Sequence, residues 1–315
     1  MGVTRVVFGG YPDWLEPEYD GVTLESTPAA VAAYPVSRLR ERRLYRKARW
    51  DPGADLTIKW TYGGEIRDVS FVGLFDHNFP ADATVRVLLY ATETFTVGVT
   101  EPLYDSGELV ALFGVDTDYV TSETPEWGTF DWGGLPPEDL VLALPRNFMH
   151  PIMQTGSDGV LRVPKDYQAG GGALVIGDLS TAVSGYSAAG LLMTTKLWQA
   201  SMNFRWPIKL GTIPLGDAPT VGRSGVIFGR DYGRLREMAM QLDLLSRGEI
   251  LEFPWTFSFD RGQFSPLLVI PEPDSPEWWW AFGGIWRLKQ ELSMEATATQ
   301  RRLWNMGSIT LLDWR

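Results

Sequence analysis

Two runs of strictly alternating side chains limit what this chain can fold into. Residues 55–62 put Leu56, Ile58, Trp60 and Tyr62 on one parity and Thr57, Lys59 and Thr61 on the other. Residues 83–90 set Val85, Val87 and Leu89 against Thr84, Arg86 and Leu88. Neighbouring side chains of a strand point to opposite faces, so a period of two describes a sheet with one face in a core. Between these runs lies a third β-rich segment, 66–75, followed by Asp76, His77, Asn78, Phe79 and Pro80, residues that break strands and hydrogen-bond turns. Gly63-Gly64 supplies a hairpin turn into this pair of runs.

The same texture returns further along. Segments 108–113, 173–176, 188–195 and 196–208 read as strands, and 235–244 alternates Met238, Met240, Leu242 and Leu244 with Glu237, Gln241 and Asp243. A helix is the rival there, but the period of two fits better. Residues 266–271 form a short buried strand between prolines, and 282–298 and 303–314 read as two long strands. The expected fold class is therefore all-β. At 315 residues there is room for two domains. The expected division is an extended entry segment over 1–50, a β-sandwich over 51–205 and a second antiparallel β-domain over 206–315. The sandwich is interrupted at 116–172, where only 139–144 sustains any period. Loops of that length inside a domain are commonly functional or partner-bound, so this insertion is expected to pack on the body or on a neighbouring subunit.

Composition narrows the function classes. The net charge of −11 argues against general nucleic-acid binding, which needs a basic footprint. The basic cluster at 38–49 is local and reads as an exposed face or one that docks on an acidic neighbour. With no cysteine there are no disulfides, thiol nucleophiles or thiolate metal sites. No run approaches the ~18 apolar residues of a membrane span and no leader-like segment opens the chain, so the expectation is a soluble protein made in the cytoplasm. Fourteen tryptophans suit large sandwich cores and subunit contacts, with stacking on sugar rings as the rival.

The search for chemistry returns little. His77 sits in a turn, where it satisfies backbone groups, and His150 precedes Pro151, where extended backbone is favoured. They are the only histidines and lack metal-ligand spacing, so no metal site is expected. Neither a nucleophile elbow nor a phosphate loop is present, and Gly63-Gly64, Gly170-Gly171-Gly172 and Gly283-Gly284 read as turns. Asp116, Asp118, Glu138, Asp139, Glu272 and Asp274 read as solvated loop acids, without a calcium motif. No catalytic residue, cofactor or enzymatic activity is expected. The run Trp278-Trp279-Trp280 cannot place all three indoles in one core from a strand, so at least one faces solvent, a ligand or a partner. Trp278 and Trp279 are therefore candidate interface residues, and Trp127 and Trp132 of the insertion join them.

Taken in order, the segments resemble a known family. Tyr34-Pro35-Val36-Ser37-Arg38-Leu39 and then Arg49-Trp50 lead into the 55–60 strand; then follow the strand that ends in His77-Asn78, residues 83–87, and Tyr104-Asp105-Ser106-Gly107. This order is similar to the galactose-binding-like jelly roll of tail and baseplate proteins of tailed bacteriophages. Residues 188–198, Trp206-Pro207, 222–232, 235–244, 266–273 and 308–311 follow as a tail-type β-domain would. The resemblance implies a structural component of a phage tail tip or baseplate, assembled in the host cytoplasm into the virion. Its partners would be other tail subunits and copies of itself. The alternative is a glycan-binding module for host-surface recognition, with a glycoside hydrolase behind it. No sugar-binding residue set of the family maps onto this sequence.

Overall fold

The computed structural model describes residues 5–51, 55–80, 83–110, 147–156, 162–179, 186–201, 205–216, 220–221, 227–228, 231–243, 245–273, 283–296 and 303–314. The protein is all-β, with antiparallel sheets and two short α-helices among the described residues. It divides into two compact units, Met1–Trp198 with Ile270–Gly284, and Gln199–Val269 with Ile285–Trp314.

In the first unit a six-stranded sheet runs in the order Val22–Thr27, Leu56–Tyr62, Gly171–Gly177, Thr84–Tyr90 and Tyr104–Asp105, with Leu109–Val110 also paired to Thr84–Tyr90. A second sheet sets Phe71–Phe75 between Phe148–Pro151 and Leu191–Thr195. The alternation expected from the sequence is what buries the core: Ile58, Trp60, Val85, Val87 and Leu174 from one sheet meet Val72, Leu74, Phe148 and Leu192 from the other in one cluster. Each such side chain contributes roughly 1.5–3 kcal/mol on burial. The outer face of the six-stranded sheet is apolar too, at Leu88, Tyr90 and Ala173. Phe95, from the loop after Thr84–Tyr90, covers it and stacks on Tyr90 at 4.0 Å.

Several local expectations are corrected. Residues 5–50 are no separate entry segment, because Val22–Thr27 is an edge strand of the six-stranded sheet. Gly63-Gly64 makes a turn, with φ of +66° and +84°, but it does not close a hairpin. The strand that follows, Arg67–Val69, pairs with Tyr167–Ala169 instead of Leu56–Tyr62. The loop at 76–80 likewise links strands of different sheets.

The segment expected as an insertion is in its last part sandwich: Phe148–Pro151, Met153–Thr155, Arg162–Pro164, Tyr167–Ala169 and Gly171–Gly177 are all paired strands. Most are three or four residues long, too short to show a period. Gly171 and Gly172, read as a turn, begin a strand, and glycine is required at 172 because a Cβ there would lie 2.4 Å from the Trp60 indole. Residues 111–146 lie outside the described residues.

The second unit is built on a long antiparallel pair, Arg205–Gly216 with Asp231–Gln241, extended by Ser308–Asp313 and Gly284–Leu288. Met238, Met240 and Leu242 are buried, as the period of two requires. Leu267–Ile270 is the buried strand expected between prolines. The two long C-terminal strands are each broken. Gly284–Leu288 is separated from Met294–Ala296, and Gly307 divides Leu303–Met306 from Ser308–Asp313. The pieces go to different sheets. Two helices absent from the sequence reading, α1 (Arg247–Glu252) and α2 (Pro254–Asp260), complete this unit.

Candidate functional site

The most polar buried constellation lies where residues 10–22 meet the sandwich. Asp13 is 2% exposed, and its Oδ1 accepts hydrogen bonds from the backbone N–H of Leu15 and of Thr194, both at 3.2 Å. One guanidinium, that of Arg40, donates to four carbonyls: Leu15 at 2.8 Å, Glu16 at 2.8 Å, Val22 at 3.1 Å and Tyr19 at 3.1 Å. Arg42 forms an ion pair with the buried Glu16. The Tyr62 hydroxyl donates to Thr194 Oγ1 at 3.0 Å and accepts from Trp60 Nε1 at 2.9 Å. Burial raises the Asp13 carboxyl to about 6 against the pull of its two N–H donors and of Arg42 and Arg40, and burial also raises Tyr62. Buried polar groups cost stability unless they are paired, and here the pairing is between chain segments. The network acts as a staple that fixes the N-terminal stretch to the Leu191–Thr195 strand.

The two histidines have distinct places. His77 is buried in its turn, stacked on Phe79 at 4.7 Å, and its Nδ1 accepts from the Phe79 N–H at 3.3 Å. That is the backbone-satisfying role expected of it. His150 sits opposite Val72 in a strand, and its Nε2 shares a 2.6 Å hydrogen bond with the Tyr104 hydroxyl. Burial lowers the imidazole to about 4 and raises Tyr104 to about 12, so both are neutral near pH 7. An imidazole that weakly basic is poorly matched to proton transfer at neutral pH, and the pair reads as a packed hydrogen bond beside Tyr167, 5.1 Å from the Tyr104 ring.

Neither a match to a family model nor a match to a curated protein is found for this chain.

The tryptophans sort by environment. Trp50, Trp60 and Trp286 are buried at 1% or less, which is the sandwich-core use expected of such a composition. The interface candidates Trp127, Trp132, Trp278 and Trp279 lie outside the described residues, as do Asp116, Asp118, Glu138, Asp139 and Asp274. Trp255 is half exposed, at 51%, on α2. Phe259 follows one turn later at 80%, and Leu251, at the end of α1, is 49% exposed. Residues four apart on a helix share a face, so Trp255 and Phe259 form one apolar stripe. The opposite face carries Ile250, Phe253, Pro254 and Phe257, all buried. The hairpin is held in place by a capping box, in which Ser246 Oγ accepts from the Glu249 N–H while Glu249 Oε2 accepts from the Ser246 N–H. Glu249 also ties to the Ser201 N–H at 2.6 Å. A rigid mount thus presents three large apolar side chains to solvent.

Sequence reasoning missed this surface because Phe253, Trp255, Phe257 and Phe259 alternate like a strand. The helical signals were nevertheless present, in Ser246 with Glu249 three residues on and in Pro254 at a first helical position.

Proposed function

We propose that this chain is a structural subunit of a phage tail tip or baseplate that works by protein–protein contact with other tail subunits. The observation that carries the assembly reading is the stripe Leu251, Trp255 and Phe259, left exposed on an element whose other face is fully packed. Soluble chains seldom leave aromatic side chains grouped in water unless a partner covers them, and Trp is enriched among residues that dominate interface energetics. The tail placement rests on the order of strands and turns that resembles the galactose-binding-like jelly roll followed by a tail-type β-domain. The all-β architecture of both units is in keeping with it. The staple at Asp13 and the Tyr104–His150 pair both serve packing in this reading, and neither is assigned a reaction.

The test is composition of the particle. Mass spectrometry of purified virions should recover this chain at a fixed copy number, and antibodies against it should decorate the distal end of the tail. Virions that lack the chain would refute the proposal. A titration of tryptophan fluorescence with host polysaccharide separates the glycan-binding alternative: a structural subunit gives no saturable change, and a saturable one favours recognition.

A further inference from the structure

The first unit carries opposite charge at the two edges of its six-stranded sheet, and internal ion pairs neutralise each only in part. The edge strand Val22–Thr27 is bordered at its two ends by Arg40, which donates to the Val22 carbonyl, and by Trp50, whose Nε1 donates to Ser26 Oγ. Seven of the chain's 28 basic residues lie within 38–49, with Glu41 as the one acid. Five of the seven are occupied: Arg40 by four carbonyls, Arg38 by the Lys47 carbonyl at 3.3 Å, Arg42 by Glu16, Arg46 by Glu41 and Lys47 by Asp76. Arg38, Arg43 and Arg49 have no ion pair among the described residues. The Arg38 and Arg49 guanidinium groups lie over the Tyr34 ring at 4.9 and 4.1 Å, and Arg49 also lies 4.6 Å from the Tyr186 ring centre. The buried Nε of Arg49 has no hydrogen-bond acceptor. Arg43 is exposed, and Tyr45 beside it is 72% exposed. Tyrosine and arginine together are the composition of an interface core.

The other edge is the reverse. There Tyr104–Asp105 and Leu109–Val110 pair with Thr84–Tyr90 and end the sheet. The loop and short strands of this edge expose Glu101 and Glu108 together with Val99, Leu103 and Val110. Its cation Arg86 is consumed in a bidentate pair with Asp105, at 2.8 and 2.5 Å. Glu101 has no ion pair among the described residues. Across the whole chain, residues 199–269 and 285–314 hold 12 basic and 10 acidic side chains, net +2, and the remainder holds 16 and 29, net −13. The 38–49 patch is thus a basic island in the acidic part of the molecule.

We infer that these two edges are the halves of one contact between copies: the Arg43, Tyr45 and Arg49 edge of one chain docks on the Glu101 and Glu108 edge of the next. This deepens the assembly reading and rests on it. At ~0.15 M salt the Debye length is ~8 Å, so attraction between touching edges is screened less than the repulsion between whole acidic chains. Opposite edges of one sheet make a heterologous contact, which propagates head to tail into a ring or a filament.

Sedimentation velocity on the full chain tests this with two exposed-site reversals, Arg43→Glu and Glu101→Arg, each first checked by circular dichroism for an unchanged fold. The wild type should associate with rising concentration up to ~0.1 mM, and a rise to ~0.6 M salt should weaken the association several-fold. Either variant alone should weaken it tenfold or more. Mixing the two leaves one intact basic edge and one intact acidic edge, and the two reversed charges are again opposite, so the mixture should associate where neither variant does alone. A monomeric wild type, variants that assemble like the wild type, or a mixture that stays monomeric would each overturn the inference. A wild type that binds sulfated glycan through Arg43 but not itself would overturn it in favour of an anionic ligand. None of these outcomes decides whether the chain is in a virion, and absence from virions would leave this contact standing.

Discussion

At the scale of single residues, two buried groups pull the stability of the fold in opposite directions with pH. The Asp13 carboxyl rises from 3.8 to about 6 on folding, so between those values the native state binds a proton that the unfolded chain does not. Stability from this group therefore increases as pH falls, and its burial penalty is complete above about pH 6. His150 is lowered from 6.5 to about 4, so in that window the unfolded state holds the extra proton. Its contribution is present above pH 6.5 and is lost as pH falls towards 4. One proton of difference is worth about 1.4 kcal/mol per pH unit, and over pH 4.5–6 the two slopes cancel. Urea denaturation at several pH values should find the wild type nearly flat in that range. Asp13→Asn keeps an acceptor for the Leu15 and Thr194 N–H groups but no longer titrates, so it should lose on the order of 2 kcal/mol between pH 6 and 4.5. His150→Gln should gain a similar amount. Parallel curves for all three proteins would show that these groups do not titrate with folding.

Single elements show where sequence patterns are decisive and where they mislead. Leu56–Tyr62, Thr84–Tyr90 and Asp231–Gln241 were legible because each buries one face, which forces strict alternation. Arg162–Pro164 and Tyr167–Ala169 were not, because three residues carry no period and their pairing depends on chain far away. The strand beginning at Gly171 was hidden by its glycines, whose reason is the Trp60 indole on a neighbouring strand. Gly172→Ala would push a methyl group to 2.4 Å from that ring and 2.8 Å from the Leu88 carbonyl oxygen. The expected cost is roughly 1–3 kcal/mol, read as a lower melting temperature with unchanged β content. For α1 the decisive residue is Ser246, whose hydroxyl accepts from the Glu249 N–H. Ser246→Ala should cost about 1 kcal/mol in a urea titration, and double substitution with Glu249→Ala should add less than the sum, since the capping box is one reciprocal unit.

For the whole molecule, the legible part was the class and the illegible part was the site. Alternation and turns fixed an all-β chain, while the exposed stripe and the two charged edges depend on which side chains the fold leaves uncovered. Arg43 looks like Arg40 and Arg42 in the sequence, and only the fold separates the spent cations from the exposed one. The same balance governs behaviour in acid. The net charge of −11 falls to zero near the sequence pI of about 4.8, where repulsion between copies vanishes. Over that interval the Asp13 and His150 contributions offset each other, so the fold itself is not driven apart. The chain should therefore become turbid on dialysis from pH 8 to pH 5 as a native precipitate. On return to pH 8 it should redissolve with its near-ultraviolet circular dichroism intact, a sensitive signal because Trp50, Trp60 and Trp286 are locked in cores. Recovery of soluble protein without that signal would mean that acid unfolds the chain before its charge is spent, and the proposed cancellation would be wrong.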